Sequence, residues 1–138
     1  MILLDEKQQD KINKLKTICE KIEGDLGITV TPNEPTEIQH LIERLRPYLA
    51  NAPKMLSDVS ELLDFAKGEC AEKMLSEGKI LNAKSNIQKM WIEGKMNKYN
   101  KLFVRVESVT KKLDKSIDTL VSLLSFEKEK VKYNIHQK

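Results

Sequence analysis

Proline and glycine are scarce in this chain, and they are unevenly placed. Residues 79–138 contain no proline and one glycine, Gly94, so almost nothing there interrupts a helix. Aromatic residues make up only 5% of the chain, against 33% charged residues. That balance suits helices with solvated charged faces and argues against a β-sandwich. No run of about 18 apolar residues occurs, so no spanning helix is expected. The start, Met1, Ile2, Leu3 and Leu4, turns charged at Asp5, Glu6 and Lys7; no signal peptide is read there. A cytoplasmic protein without a membrane partner is the expectation.

Motifs that carry chemistry are missing as well. There is no glycine-rich phosphate loop, paired-cysteine metal motif or nucleophile elbow. Neither of the two histidines is placed to activate a serine. Glu37 and His40 have the i, i+3 spacing used by di-iron bundles. The matching second pair is absent, however, because the other histidine, His136, has Tyr133 three residues before it. A solvated or capping histidine is the plainer reading. No catalytic residue, cofactor or metal is therefore expected, and the chain reads as non-enzymatic. Cys19 and Cys70 sit among apolar helical positions and read as buried thiols acting as small hydrophobes, although two cysteines also permit one disulfide.

What remains is helical pattern and charge. In residues 1–52 the first helix starts near Asp5, which has capping-box spacing to Gln8, and carries Ile12, Leu15, Ile18, Cys19 and Ile22 on one face. Gly24 is predicted to end it, before an extended loop rich in proline and β-branched residues. A second helix is predicted from Thr36 as N-cap, with Gln39 completing a capping box, and Pro47 should end or kink it. In residues 53–138 a third helix begins with Pro53 in its first turn and runs to about Gly78. There the chain turns back as a helical hairpin.

The apolar positions Tyr99, Leu102, Val106, Val109, Leu113, Ile117, Leu120, Leu124 and Val131 then repeat at three- and four-residue steps. A helix over 97–133 would be roughly 55 Å long, compared with a radius of gyration near roughly 14 Å for a globule of this length. Before it, Ile80, Ile87, Met90 and Trp91 point about 100° away from that stripe. The helix either breaks near Gly94 or runs on unbroken past a change of packing partner, and the second is favoured because glycine costs a helix only about 1 kcal/mol.

The expected fold is thus all-α: a single helical domain, an elongated bundle with coiled-coil-like packing and a long C-terminal amphipathic helix. The apolar stripe on that helix needs cover. A second copy of the chain, in a dimer, would supply it through Leu113, Ile117, Leu120 and Leu124, which makes self-association the leading functional expectation for an interaction or scaffold protein. A lysine-rich small helical chain of this kind is also common among accessory proteins of phages and mobile elements. The alternative is nucleic-acid binding. Residues 1–78 carry ten basic and fifteen acidic side chains, and residues 79–138 carry fourteen and six. Lys98, Lys101, Arg105 and Lys112 form a band that could track phosphates without reading sequence. Charged residues beside an apolar seam are also ordinary solvated positions of a bundle, or partners for the acidic N-terminal helices.

Overall fold

The computed structural model describes residues 2–76 and 78–136, without the side chains of 2–5, 79, 81, 131 and 133–136. The sequence expectations for the side chains of Asp5, Val131 and His136 lie outside that description. The fold is an all-α helical bundle. Its elements are α1 (Ile2–Leu26), α2 (Pro35–Ser76), the short α3 (Gly78–Leu81) and α4 (Ser85–His136), with no strand among the described residues. The chain forms two compact units, and each long helix contributes a segment to each.

Unit 1 comprises Met1–Lys16 and Lys54–Glu107. Its core takes Ile12 and Leu15 from α1, Met55, Val59, Leu62, Ala66 and Cys70 from α2, and Met96, Leu102 and Val106 from α4. Within each helix these positions recur at three or four residues, or multiples of that step, which puts them on one inward stripe. Leu63, Trp91 and Tyr99, each partly buried, pack against Ala66, Cys70 and Met96, so α2 and α4 form the predicted hairpin. The reversal at its end is not a single turn at Gly78. It uses α3 and a turn over 82–84, where the Gln88 side-chain amide donates to the carbonyls of Ile80 (3.1 Å) and Ala83 (3.2 Å). The carbonyl of Lys84 opens α4 by accepting from the amides of Ile87 and Gln88.

Unit 2 comprises Thr17–Pro53 and Ser108–Lys138. Cys19 and Ile22 of α1, Ile38, Leu41, Ile42 and Leu45 of α2, and Val109, Leu113, Ile117, Leu120 and Leu124 of α4 are among its buried residues. A polar tie joins α1 to α2 inside this unit. The Tyr48 hydroxyl donates to Asp25 at 2.8 Å, and the Arg44 guanidinium Nε donates to the other carboxylate oxygen at 3.0 Å.

α1 begins at Ile2, so Asp5 lies inside it and not at its start, and three further helix boundaries depart from the sequence expectations. First, Gly24 does not end α1, which continues to Leu26. Asp25 is held against α2 by its two partners, and the Gly27 amide closes the last turn on the carbonyls of Glu23 and Gly24. Second, α2 starts with Pro35 at its first helical position, where the missing amide is no loss and φ is already helical. Thr36 is therefore inside the helix and not its N-cap; Gln39 donates to Glu43 (3.1 Å) and takes no part in a capping box. Third, Pro47 and Pro53 do not separate two helices but lie inside one. A proline there removes one hydrogen bond, at about 3 kcal/mol. Both rings are exposed, so the carbonyl left without a partner at Glu43 can bond to water. The buried side chains on either side, Leu45, Ala52 and Met55, contribute about 1.5–3 kcal/mol per large residue and hold the helical path. As expected on the second reading of Gly94, α4 runs through it unbroken.

Candidate interaction surface

In unit 1 α4 turns Met96, Leu102 and Val106 inward, and apolar residues that point elsewhere are left outside. Ile87 is 47% exposed and Met90 is 70% exposed, while Trp91, one position further round, is half-buried against the unit 1 core. Ile87 and Met90 are i, i+3 neighbours. The same side of the helix continues through Gly94, where an added Cβ would meet nothing within 4 Å, to Lys98 and Lys101, both exposed. From Ile87 to Lys101, about 21 Å of helix, one outward face of unit 1 thus passes from apolar, through a bare backbone position, to basic. Lys95 lies over the Trp91 ring at 5.8 Å, and Lys98 over the Tyr99 ring at 5.1 Å. The ammonium groups therefore keep to the helix surface.

Beside this face unit 1 has an open cleft of about 630 Å³ between α1, α2 and α4. Gln8 and Ile12, Cys70 and Lys73, and Lys98 and Tyr99 are among its walls. The Gln8 side-chain oxygen is buried there without a hydrogen-bond partner among the described residues. Burial pushes the Cys70 thiol above its ordinary range, so it stays protonated and un-nucleophilic at neutral pH. Cys70 and Cys19 are both buried and in no disulfide, as expected for small hydrophobes.

The residues singled out from the sequence fall in different places. Leu113, Ile117, Leu120 and Leu124 are buried in unit 2 by helices of the same chain; Leu113 is 0% exposed. The cover that a second copy was expected to provide is present within one chain, because 17–26 and 35–53 both pack on that stripe. On the same stretch of α4, Val121 and Phe126 are exposed, at 38% and 56%. Of the basic band, Lys98, Lys101 and the half-buried Arg105 belong to unit 1, and Lys112 is exposed in unit 2. Glu37 and His40 are both exposed, and Glu37 accepts the Thr31 amide at 2.9 Å. No group of three or more histidine, cysteine, aspartate or glutamate side chains that could hold a metal occurs among the described residues. No described helix is long and apolar enough to cross a membrane.

The outward position of Ile87 and Met90 was not anticipated as a surface. Its signal was present, however, in the 100° offset between the two apolar stripes. No family model matches the chain, and no curated protein or solved structure shows significant similarity to it.

Proposed function

We propose that this chain is a non-enzymatic helical interaction or scaffold protein, and that its contact surface is the outward face of α4 in unit 1. The observation that carries the reading is the exposure of Met90 and Ile87 as neighbours on a helix whose core-facing side is already filled. A long flexible methionine is suited to such a role, because it adapts to an irregular partner surface. Part of each side chain is already covered, so burying both against another helix would contribute about 1–2 kcal/mol each, enough for a contact when supported by charged residues around it.

Photo-crosslinking in the native host tests this. A benzoylphenylalanine placed at Met90 or Ile87 should give discrete adducts of defined mass, and the same group at Lys14, an exposed position on α1, should give none. Equal labelling from all three positions, or no adduct from any, refutes the reading.

A second reading rests on Lys98 and Lys101 with Trp91 and Tyr99 alongside, since ammonium groups interleaved with aromatic rings favour single-stranded nucleic acid. Binding of an unstructured oligonucleotide would then weaken steeply with salt and with Lys98→Glu and Lys101→Glu. Undiminished binding in those variants removes it.

A further inference from the structure

We infer that the partner of this face is an acidic amphipathic helix of another protein, and not a second copy of the chain; the inference rests on the interaction reading above. The face has an order: Ile87 and Met90, then Gly94, then Lys98 and Lys101. A helix laid along it must offer apolar side chains at one end and carboxylates about two turns away at the other.

Self-pairing of the face does not meet that requirement in either direction. In a parallel pair Lys98 and Lys101 would oppose their own copies, and like charges brought together are destabilising. In an antiparallel pair centred on Gly94 the two lysines of each copy would lie over Met90 and Ile87 of the other. That removes water from ammonium groups without giving them an acceptor. Of the acidic side chains of unit 1, Asp10 is paired with Lys14 (3.1 Å) and Glu61 with Lys11 (3.0 Å); a second copy seated through others, such as the exposed Glu72, is the occupant that the mass measurement below distinguishes.

A helix with two or more unpaired glutamates meets both needs. Its carboxylates reach Lys98 and Lys101, and its apolar end covers Met90 and Ile87. Gly94 adds a position where its backbone can approach closely, since no side chain stands there and no atom beyond the adjoining residues and the helix's own backbone lies within 4 Å of the missing Cβ.

The probes are two synthetic helical peptides that differ only in charge. Each carries two leucines at one end of one face and, two turns further along that face, either two glutamates or two lysines. Each is made in both chain directions and labelled for anisotropy. Trp91, the single tryptophan, gives an independent fluorescence readout beside the contact. The glutamate peptide should bind the full chain, less tightly as salt rises, and the lysine peptide should not.

The double variant Lys98→Glu, Lys101→Glu should weaken the glutamate peptide about tenfold and should now accept the lysine peptide. Met90→Lys, a change at an exposed side chain that leaves the fold intact, should abolish binding of both. Equal binding of the two peptides, lost in Met90→Lys, would leave the docking surface in place and overturn the acidic partner. A mass that doubles with concentration and returns to the monomer in Met90→Lys would make a second copy the occupant. Oligonucleotide binding that Met90→Lys does not change, with no peptide bound, would overturn the inference in favour of nucleic acid. No binding of either peptide, together with discrete adducts from position 90, would overturn the charge rule alone. Failure of both experiments would overturn the interaction reading itself.

Discussion

Leu113 separates two accounts of α4 that share the same apolar residues. If the stripe is a core, truncating Leu113 should destabilise the isolated chain; if it is a dimer seam, the same change should alter mass and leave the folded monomer nearly as stable. In unit 2 the side chain is 0% exposed, with Val109, Ile117 and Leu120 of the same helix also buried. Leu113→Ala removes most of a fully enclosed aliphatic side chain. Buried leucine-to-alanine changes cost about 2.7–5 kcal/mol, the spread reflecting how far the walls collapse into the cavity. Residues from three helical segments surround the site, which limits collapse, so we expect about 3–4 kcal/mol. For a chain of this length that corresponds to a drop in melting temperature of roughly 10 °C. Met90→Ala, at a side chain 70% exposed, should by contrast change stability by less than about 0.5 kcal/mol. Urea denaturation followed by circular dichroism, with light scattering on the same samples, measures both quantities. The reasoning fails if Leu113→Ala unfolds at the wild-type midpoint, or if its main effect is loss of a dimer mass that the wild type shows.

The Asp25 cluster carries a pH dependence. Burial alone would raise that carboxyl, but the hydrogen bonds from Tyr48 and Arg44 and the guanidinium charge outweigh it and hold the group below its ordinary value of 3.8. A depressed folded value means that the stabilisation is complete above the unfolded value and is lost as pH falls through the folded one. The stability difference between wild type and Asp25→Asn should therefore be constant down to about pH 4 and shrink below it. A difference that instead grows in acid refutes the sign. Tyr48→Phe should cost about 1–2 kcal/mol at neutral pH, because it removes a donor from a largely buried carboxylate. At the other extreme the Tyr48 hydroxyl, raised above 10.0 chiefly because it is hydrogen-bonded to Asp25, should resist ionisation in a spectrophotometric titration. Gly68 and Gly94 are exposed, lie inside helices, and have no atom beyond the adjoining residues and their own helix backbone within 4 Å of an added Cβ. Replacing either with alanine should stabilise the chain by about 0.5–1 kcal/mol, and a loss of stability would show that the position is not the open helical site described.

The helical class and the inward stripes were legible because they rest on periodicity, which a sequence displays directly. Ile12, Leu15, Cys19 and Ile22 are buried as their spacing predicts, and Met55, Val59, Leu62, Ala66 and Cys70 likewise. The misread points are all places where a local signal competes with packing. Pro47 and Gly24 are strong punctuators within a short window. Each is overridden by something at a distance, in one case the apolar side chains flanking the proline and in the other the grip of Tyr48 and Arg44 on Asp25. The capping box at Thr36 lost to the proline just before it, which is a better first helical residue. None of these competitions can be decided from neighbours in sequence alone.

The candidate surface was hidden for a different reason. Periodicity shows which residues share a side of a helix, but not which side another helix covers. Two apolar stripes about 100° apart on one helix leave two solutions: a second covering element, or exposure of the shorter stripe. On α4 the longer stripe has nine members and the shorter one three, Ile87, Met90 and Trp91, Ile80 being in α3, so the longer draws the covering helices, because buried apolar area increases with the number of side chains enclosed. The same reasoning moves the expected interface. A stripe that is strongest in sequence is the one most readily satisfied within its own chain, so Leu113, Ile117, Leu120 and Leu124 became core. The weaker stripe at Ile87 and Met90 is the one with area left to offer a partner.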